Sequence, residues 1–215
     1  MLTLLIGNKN YSSWSLRAWI LLRHLGLAFT EQQVVLDQPD TQARIRAFNP
    51  AGFVPALRDG ELLVWDSLAI GEYACELAGR GLPADRARRA LVRSVAAEMH
   101  SGFRTLRSAW PMNARATGRR TASSPQLEAE VARIDALWNQ CRAARGADGP
   151  WLLGEYSLAD AMYAPVALRF ATYGAQLSAV AAAYLQAVLA DPAMGEWIAA
   201  ARAEPWVIAR EETGG

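Results

Sequence analysis

The chain has 215 residues, 52% of them hydrophobic and 20% charged, with a formal net charge of +1. That length and apolar content suit one or two compact domains with real cores, and the near-neutral charge gives nucleic acid or an anionic membrane surface no electrostatic hold. No uncharged apolar run reaches about 18 residues, and Met1-Leu2-Thr3 leads into strand-like sequence without a basic segment. Neither a membrane-spanning helix nor a secretory signal is therefore expected, and the compartment expected is the cytoplasm.

In chain order, Leu2, Leu4, Leu5 and Ile6 form a short apolar run rather than an alternation, which predicts a strand covered on both faces and ended by Gly7. Leu16, Trp19, Ile20, Arg23 and Leu27 fall at helical spacing, with Gly26 as the stop. Phe29 to Leu36, with Val34 and Val35, predicts a second strand and an opening βαβ unit with a right-handed crossover. The stretch between Asp37 and Asn49 reads as a short helix or a solvated, charged loop. Phe53-Val54-Pro55-Ala56-Leu57 and Leu62-Leu63-Val64-Trp65 predict further strands joined by an Asp59-Gly60 turn, and Asp66-Ser67 opens a helix from Leu68 to Leu77. Pro55 donates no ladder hydrogen bond, so either it begins a strand in the trans form or a cis Val54–Pro55 bond turns the Val54 backbone sideways, towards an extended peptide.

Gly79-Arg80-Gly81-Leu82-Pro83-Ala84 interrupts the pattern and divides the chain into an α/β unit at 1–79, a linker at 80–85 and a helical unit at 86–215. Leu91, Val95, Met99, Phe103, Leu106 and Trp110 predict one helix from Arg86 to about Trp110, stopped by Pro111. Gln126 to Arg145 predicts another, closed by Gly146 to Pro150. Tyr156 to Tyr173, Leu177 to Leu189 and Met194 to Ala203 complete a bundle without internal repeats. Ser157 and Asp160 form a capping box, with Leu153 as a staple partner, and their role is structural. Cys75 and Cys141 both lie in amphipathic helices, where free cysteine behaves as a small buried hydrophobe.

The segment Asn10-Tyr11-Ser12-Ser13-Trp14-Ser15-Leu16-Arg17 sets serine hydroxyls at the junction of strand and helix. First-turn N–H groups have no internal partner and carry partial positive charge, so an anion there is stabilised by donors and dipole together. A thiolate is such an anion. The turn holds no cysteine, so a thiol that reacts there arrives with a ligand.

Strand, serine-rich loop, helix and strand, followed by Val54-Pro55-Ala56-Leu57 and Asp66-Ser67-Leu68-Ala69-Ile70, resemble the N-terminal domain of cytosolic glutathione S-transferases. Ser12-Ser13-Trp14-Ser15 with Arg17 is most similar to the serine-type zeta class and its bacterial relatives, and the resemblance runs on to Ser157-Leu158-Ala159-Asp160. It implies a thioredoxin-like α/β domain followed by an all-α domain. It also implies glutathione as co-substrate, no metal, a small electrophile as second substrate, and a homodimer.

By the same resemblance, Ser12 or Ser13 is the expected donor to the glutathione thiolate, with Tyr11 as rival because tyrosine-type members place a phenol at this point. Both serines also suit a plain capping role. A thiol of ordinary pKa near ~8.5 brought down to about 6.5 would be mostly ionised at neutral pH, which takes roughly 2.7 kcal/mol and no general base. Val54, beside Pro55, is expected to pair through its backbone with the cysteinyl part, and Asp66 and Ser67 to hold the γ-glutamyl end, although the family usually has Glu or Gln where Asp66 stands. Gln38 and Arg44 are weaker candidates. His100, Phe103, Arg104, Arg107, Trp110 and Met112 are candidates for the electrophile's wall. Arg169 falls four residues after Pro165, earlier than the zeta pattern places its arginine, which argues against a maleylacetoacetate isomerase. The alternatives are a non-catalytic glutathione-fold binding or regulatory protein and a glutathione-dependent isomerase or peroxidase.

Overall fold

In the computed structural model, which describes residues 1–145 and 149–215, the opening apolar run forms β1 (Leu2–Ile6). Leu2, Leu4 and Ile6 belong to the main core, whereas Leu5 packs with Val34, Ile45, Phe48 and Ala56 in a smaller cluster on the other face. Two covered faces explain why the run does not alternate. α1 (Ser13–His24) follows, then β2 (Phe29–Gln33), β3 (Ala56–Asp59) and β4 (Leu62–Val64). The sheet order is β2-β1-β3-β4, with β1 parallel to β2 and antiparallel to β3, and β3 antiparallel to β4.

β2 and β3 are shorter or later than their sequence suggests. β2 ends at Gln33, opposite Ile6, because β1 leaves the sheet there, and Gly7 N–H donates instead to Ser15 Oγ at 3.0 Å. β3 starts at Ala56, after a cis Val54–Pro55 bond. The charged stretch expected to be a short helix or a loop contains α2 (Thr41–Phe48), which buries Ile45 and Phe48 beneath the sheet. Asp66 caps α3 (Ser67–Ala78), its carboxylate accepting from the Leu68 and Ala69 N–H groups.

The helical half begins with α4 (Arg86–Ser101), capped by Asp85. The single helix expected to reach Trp110 is broken: Gly102 ends α4, and Phe103, at φ 54°, redirects the chain into α5 (Arg104–Ala109). The apolar spacing continues across the break because both pieces face one core, and the left-handed Phe103 leaves no mark in hydrophobic periodicity. α6 (Pro125–Ala143), α7 (Leu158–Tyr173), α8 (Ala179–Leu189) and α9 (Pro192–Ala203) complete the bundle. Of the turn expected at Gly146 to Pro150, residues 146–148 lie outside the described residues.

α7 is the central post, packed against α1 and α4 and buried along nearly its whole length. Gly71 permits close approach of α3: a Cβ there would lie 2.4 Å from Leu158 Cδ1. Asp160, 1% exposed, accepts hydrogen bonds from Ser157 N–H and Oγ, Leu152 N–H and the Tyr184 hydroxyl, which realises the capping box. Cys75 and Cys141 are buried, and burial pushes each thiol up to about 12, so both are inert at neutral pH. No helix among the described residues is long and apolar enough to cross a membrane.

Candidate active site

The serine turn is held from several directions before α1 begins. Glu204, just after α9, accepts from the Lys9 N–H at 2.6 Å and the Asn10 N–H at 3.1 Å. Asn8 Oδ1 accepts from Leu36 N–H at 2.7 Å, and Asn10 Oδ1 from Arg115 N–H at 2.9 Å. These contacts join the turn to β2's exit and to the loop after α5, so the first turn of α1 is presented by a fixed frame.

Within that turn the hydroxyls have different duties. Ser12 is the N-cap: its Oγ accepts from Ser15 N–H at 3.4 Å and shares a 2.7 Å hydrogen bond with Ser15 Oγ. Tyr11 donates to Glu212 Oε1 at 2.5 Å and accepts from Arg115 Nη2 at 2.7 Å, so its hydroxyl is committed to the C-terminal tail. Burial, reinforced by the Glu212 carboxylate, also raises the phenol above its ordinary value. The Ser13 hydroxyl and the Trp14 backbone N–H make no hydrogen bond to any described residue.

Tyr11, Ser12 and Ser13 line a cleft of about 280 Å³, together with Val54, Arg107 and Met112. Trp14, Leu36, Arg169 and Glu211 complete its wall. Val54 makes no backbone hydrogen bond among the described residues, and Pro55 beside it is buried. Four of the expected ligand contacts, Tyr11, Ser12, Ser13 and Val54, thus meet at one place, and Arg107 and Met112 from the expected electrophile wall line the same cleft.

The other expected residues stand apart from that wall. Asp66 caps α3 and pairs through Oδ2 with His100 Nε2 at 3.1 Å, and the Ser67 hydroxyl is buried without a partner among the described residues. Gln38 sits on the surface with its side chain on the Asp37 carbonyl, and Arg44 faces Asp40. Trp110 is stacked on Tyr173 and Phe103 meets Tyr163, so both serve the bundle core. Arg104 is exposed. Among the described residues no group of acidic, histidine or cysteine side chains is arranged to hold a metal ion.

Two features escaped the sequence reading. One is the tail after α9, whose Glu204 and Glu212 clasp the turn across nearly the whole chain length. The other is the burial of Arg17, which the sequence marked only as part of the serine motif: it is 1% exposed with its Cζ 4.3 Å from the centre of the Trp14 ring. Its position one turn after Ser13 on an otherwise apolar helix was the available signal. A second hollow, of about 510 Å³, lies against α6 near Trp110, Val131 and Gly174, away from the serine turn.

Residues 11–77 match the family model described as Glutathione S-transferase, N-terminal domain. Among solved structures, a glutathione transferase homolog from Burkholderia gl BGR1 with bound glutathione aligns with TM-score 0.70 and 22% identity, over 94% of this chain and 99% of that one. The chain has the glutathione transferase fold. Two further structures share it. A glutathione transferase from Methylococcus capsulatus str. Bath aligns with TM-score 0.68 and 24% identity, over 94% of this chain and 99% of the other. The theta class enzyme from Xanthomonas axonopodis pv. citri, with glutathione bound, gives TM-score 0.66 and 21% identity over 92% and 96%. No curated protein sequence matches this chain. The matched segment runs from the turn before α1 into α3, the part that carries Tyr11, Ser13 and Val54.

Proposed function

We propose that the protein is a glutathione transferase of the serine type, related to the zeta class, in which Ser13 donates to the thiolate of bound glutathione. The observation that carries this reading is the open Ser13 hydroxyl in the first turn of α1, facing the same cleft as the Val54 backbone. Ser12 is occupied as the cap and Tyr11 by the tail, which leaves Ser13 and the Trp14 N–H as donors for an incoming anion. With no acidic residue in the first turn of α1, the positive end of the helix is available to that anion.

Glutathione comes to this chain from the structures with the same fold that hold it. Its cysteinyl backbone would pair with Val54, and Asp66 and Ser67 would serve its γ-glutamyl end. The thiolate then attacks an electrophilic carbon of a substrate lying against the arginine-bearing wall, forming the C–S bond while the leaving group departs with the electron pair of the bond it breaks. The reading carries with it the division into units at 1–79 and 86–215 and a cytoplasmic location. It also carries a homodimer in which the exposed Phe53 and Trp65 are covered by the second copy.

The test is titration calorimetry with glutathione, followed by conjugation of 1-chloro-2,4-dinitrobenzene read by absorbance. Binding together with turnover is the expected result. Absence of binding at millimolar glutathione would leave only a fold without the activity.

A further inference from the structure

Lys9 is the only lysine among the 22 lysine and arginine side chains of this protein, and it stands four residues before Ser13, in the turn between β1 and α1. Three parts of the residue are held from three directions. Its N–H donates to Glu204 Oε1 at 2.6 Å, its carbonyl accepts from Trp197 Nε1 of α9 at 2.8 Å, and its ammonium pairs with Glu31 Oε2 of β2 at 2.7 Å. The side chain is 14% exposed.

The ammonium also faces two indoles. Nζ lies 5.1 Å from the centre of the Trp19 ring and 5.4 Å from that of Trp197, and the two rings are 5.3 Å apart and tilted by 58°. Both rings are fully buried, which strengthens a cation–π contact. Trp19 Nε1 donates to Glu31 Oε1 at 2.6 Å, so the carboxylate that receives the ammonium is itself fixed by α1. A compact ammonium with three rotatable donors can serve both rings and the carboxylate at once, whereas a guanidinium is a rigid plane. Arg23 shows the contrast: its Cζ lies 5.6 Å from the centre of the Trp19 ring, but it is half-exposed and pairs with Glu196 at the surface. The clasp leads straight to the cap of α1, because the Asn8 carbonyl beside Lys9 accepts from the Tyr11 N–H at 3.2 Å and the Ser12 N–H at 2.8 Å.

We propose that Lys9 is a positioning residue for the thiolate site, its ammonium locking the serine turn to α1, β2 and α9 so that the Ser13 hydroxyl and the Trp14 N–H meet the sulfur in a set geometry. The assignment rests on the glutathione transferase reading. Donors fixed before the anion arrives need no reorganisation when it binds, and a small displacement of such donors is costly. Lys9 acts through the turn and does not touch the sulfur.

The test compares the whole unaltered protein with Lys9→Met, Lys9→Arg and Glu31→Gln. Calorimetry first establishes glutathione binding, and ultraviolet absorbance against pH then follows the bound thiol. Lys9→Met keeps an unbranched apolar stem against the indoles. Its thiol titration is expected to move up by about one pH unit, with kcat for 1-chloro-2,4-dinitrobenzene down about tenfold and KM for glutathione within about threefold. The other two variants separate positioning from the plain field of the charge. Lys9→Arg keeps the charge and loses the fit, so its titration should stay raised. Glu31→Gln removes a negative charge, which through the field alone would lower the thiol, whereas loss of the ammonium's anchor should raise it. A Lys9→Met titration that coincides with that of the unaltered protein overturns the assignment, however far the melting temperature falls. So does full recovery in Lys9→Arg, or a Glu31→Gln titration that is unchanged or moves down. If Lys9→Met fails to fold, the sign of the Glu31→Gln shift decides. Absence of glutathione binding in the unaltered protein takes down the underlying reading with it, whereas any of the overturning titrations with glutathione bound takes down this assignment alone.

Discussion

α1 and α7 both begin on a serine N-cap completed three residues later, by Ser15 after Ser12 and by Asp160 after Ser157. In α7 the third position is a carboxylate that collects four hydrogen bonds and brings its own negative charge to the positive end of the helix. In α1 it is a neutral hydroxyl, the first turn has no acid, and the Ser13 side chain is left towards a cleft. One local device therefore closes a helix end in the core and leaves another open to a ligand. What distinguishes them is a single side chain at the third helical position.

If the α7 end is closed for stability, removing its carboxylate strands several buried donors. Asp160→Ala is expected to cost about 3 kcal/mol or more, lowering the melting temperature by roughly 10 °C. Chemical denaturation measures it, and a loss under about 1 kcal/mol would mean the box is dispensable. At the open end the loss should appear in chemistry. Ser13→Ala is expected to lower kcat/KM roughly a hundredfold at neutral pH, about 2.7 kcal/mol, with a nearly unchanged melting temperature. A melting temperature that falls as far as in Asp160→Ala would make Ser13 a structural residue and erase the contrast.

The neighbouring cap sharpens the comparison further. Ser12→Ala should cost about 1 kcal/mol of stability and reduce turnover less than Ser13→Ala; the reverse ranking would exchange the two serines' duties. The smallest effect concerns the tail that occupies Tyr11. Burial alone would raise the Glu212 carboxyl, but the Tyr11 hydroxyl and Arg119 outweigh it and hold the group below its ordinary 4.5. A depressed carboxyl stabilises the fold above its unfolded value and loses that contribution as pH falls through the folded one. Thermal melts below about pH 4.5 should therefore decline less steeply in Glu212→Gln than in the unaltered chain. Parallel declines would show that the clasp carries no linkage.

Much of the fold was legible because it is written in local chemistry. The doubly apolar β1, the Asp66 and Ser157 caps and the cysteines buried in helices are each set by residues close in sequence. The left-handed Phe103 that divides α4 from α5 was not legible, since neither its type nor its spacing asks for that backbone. α2 reads in the sequence as either a short helix or a loop because its surface is charged, although Thr41, Ile45 and Phe48 fall on one helical face. At the site, the serine turn and Val54 could be named from their motifs. The arginine group and the Glu212 clasp could not, because Arg17, Arg107, Arg169 and Glu212 meet only through tertiary packing. Asp66, Ser67 and Gln38 carry their expectation from resemblance, and they lie outside the cleft wall that gathers Tyr11, Ser13 and Val54.

The central claim is that the first turn of α1 holds a borrowed sulfur as the anion through Ser13. Ultraviolet absorbance of bound glutathione against pH tests it most directly, in the unaltered protein, Ser13→Ala and Tyr11→Phe. The account predicts thiol ionisation centred near ~6.5 in the unaltered protein and in Tyr11→Phe, moving towards the free value of ~8.5 in Ser13→Ala. Coincident titrations for the unaltered protein and Ser13→Ala would contradict it.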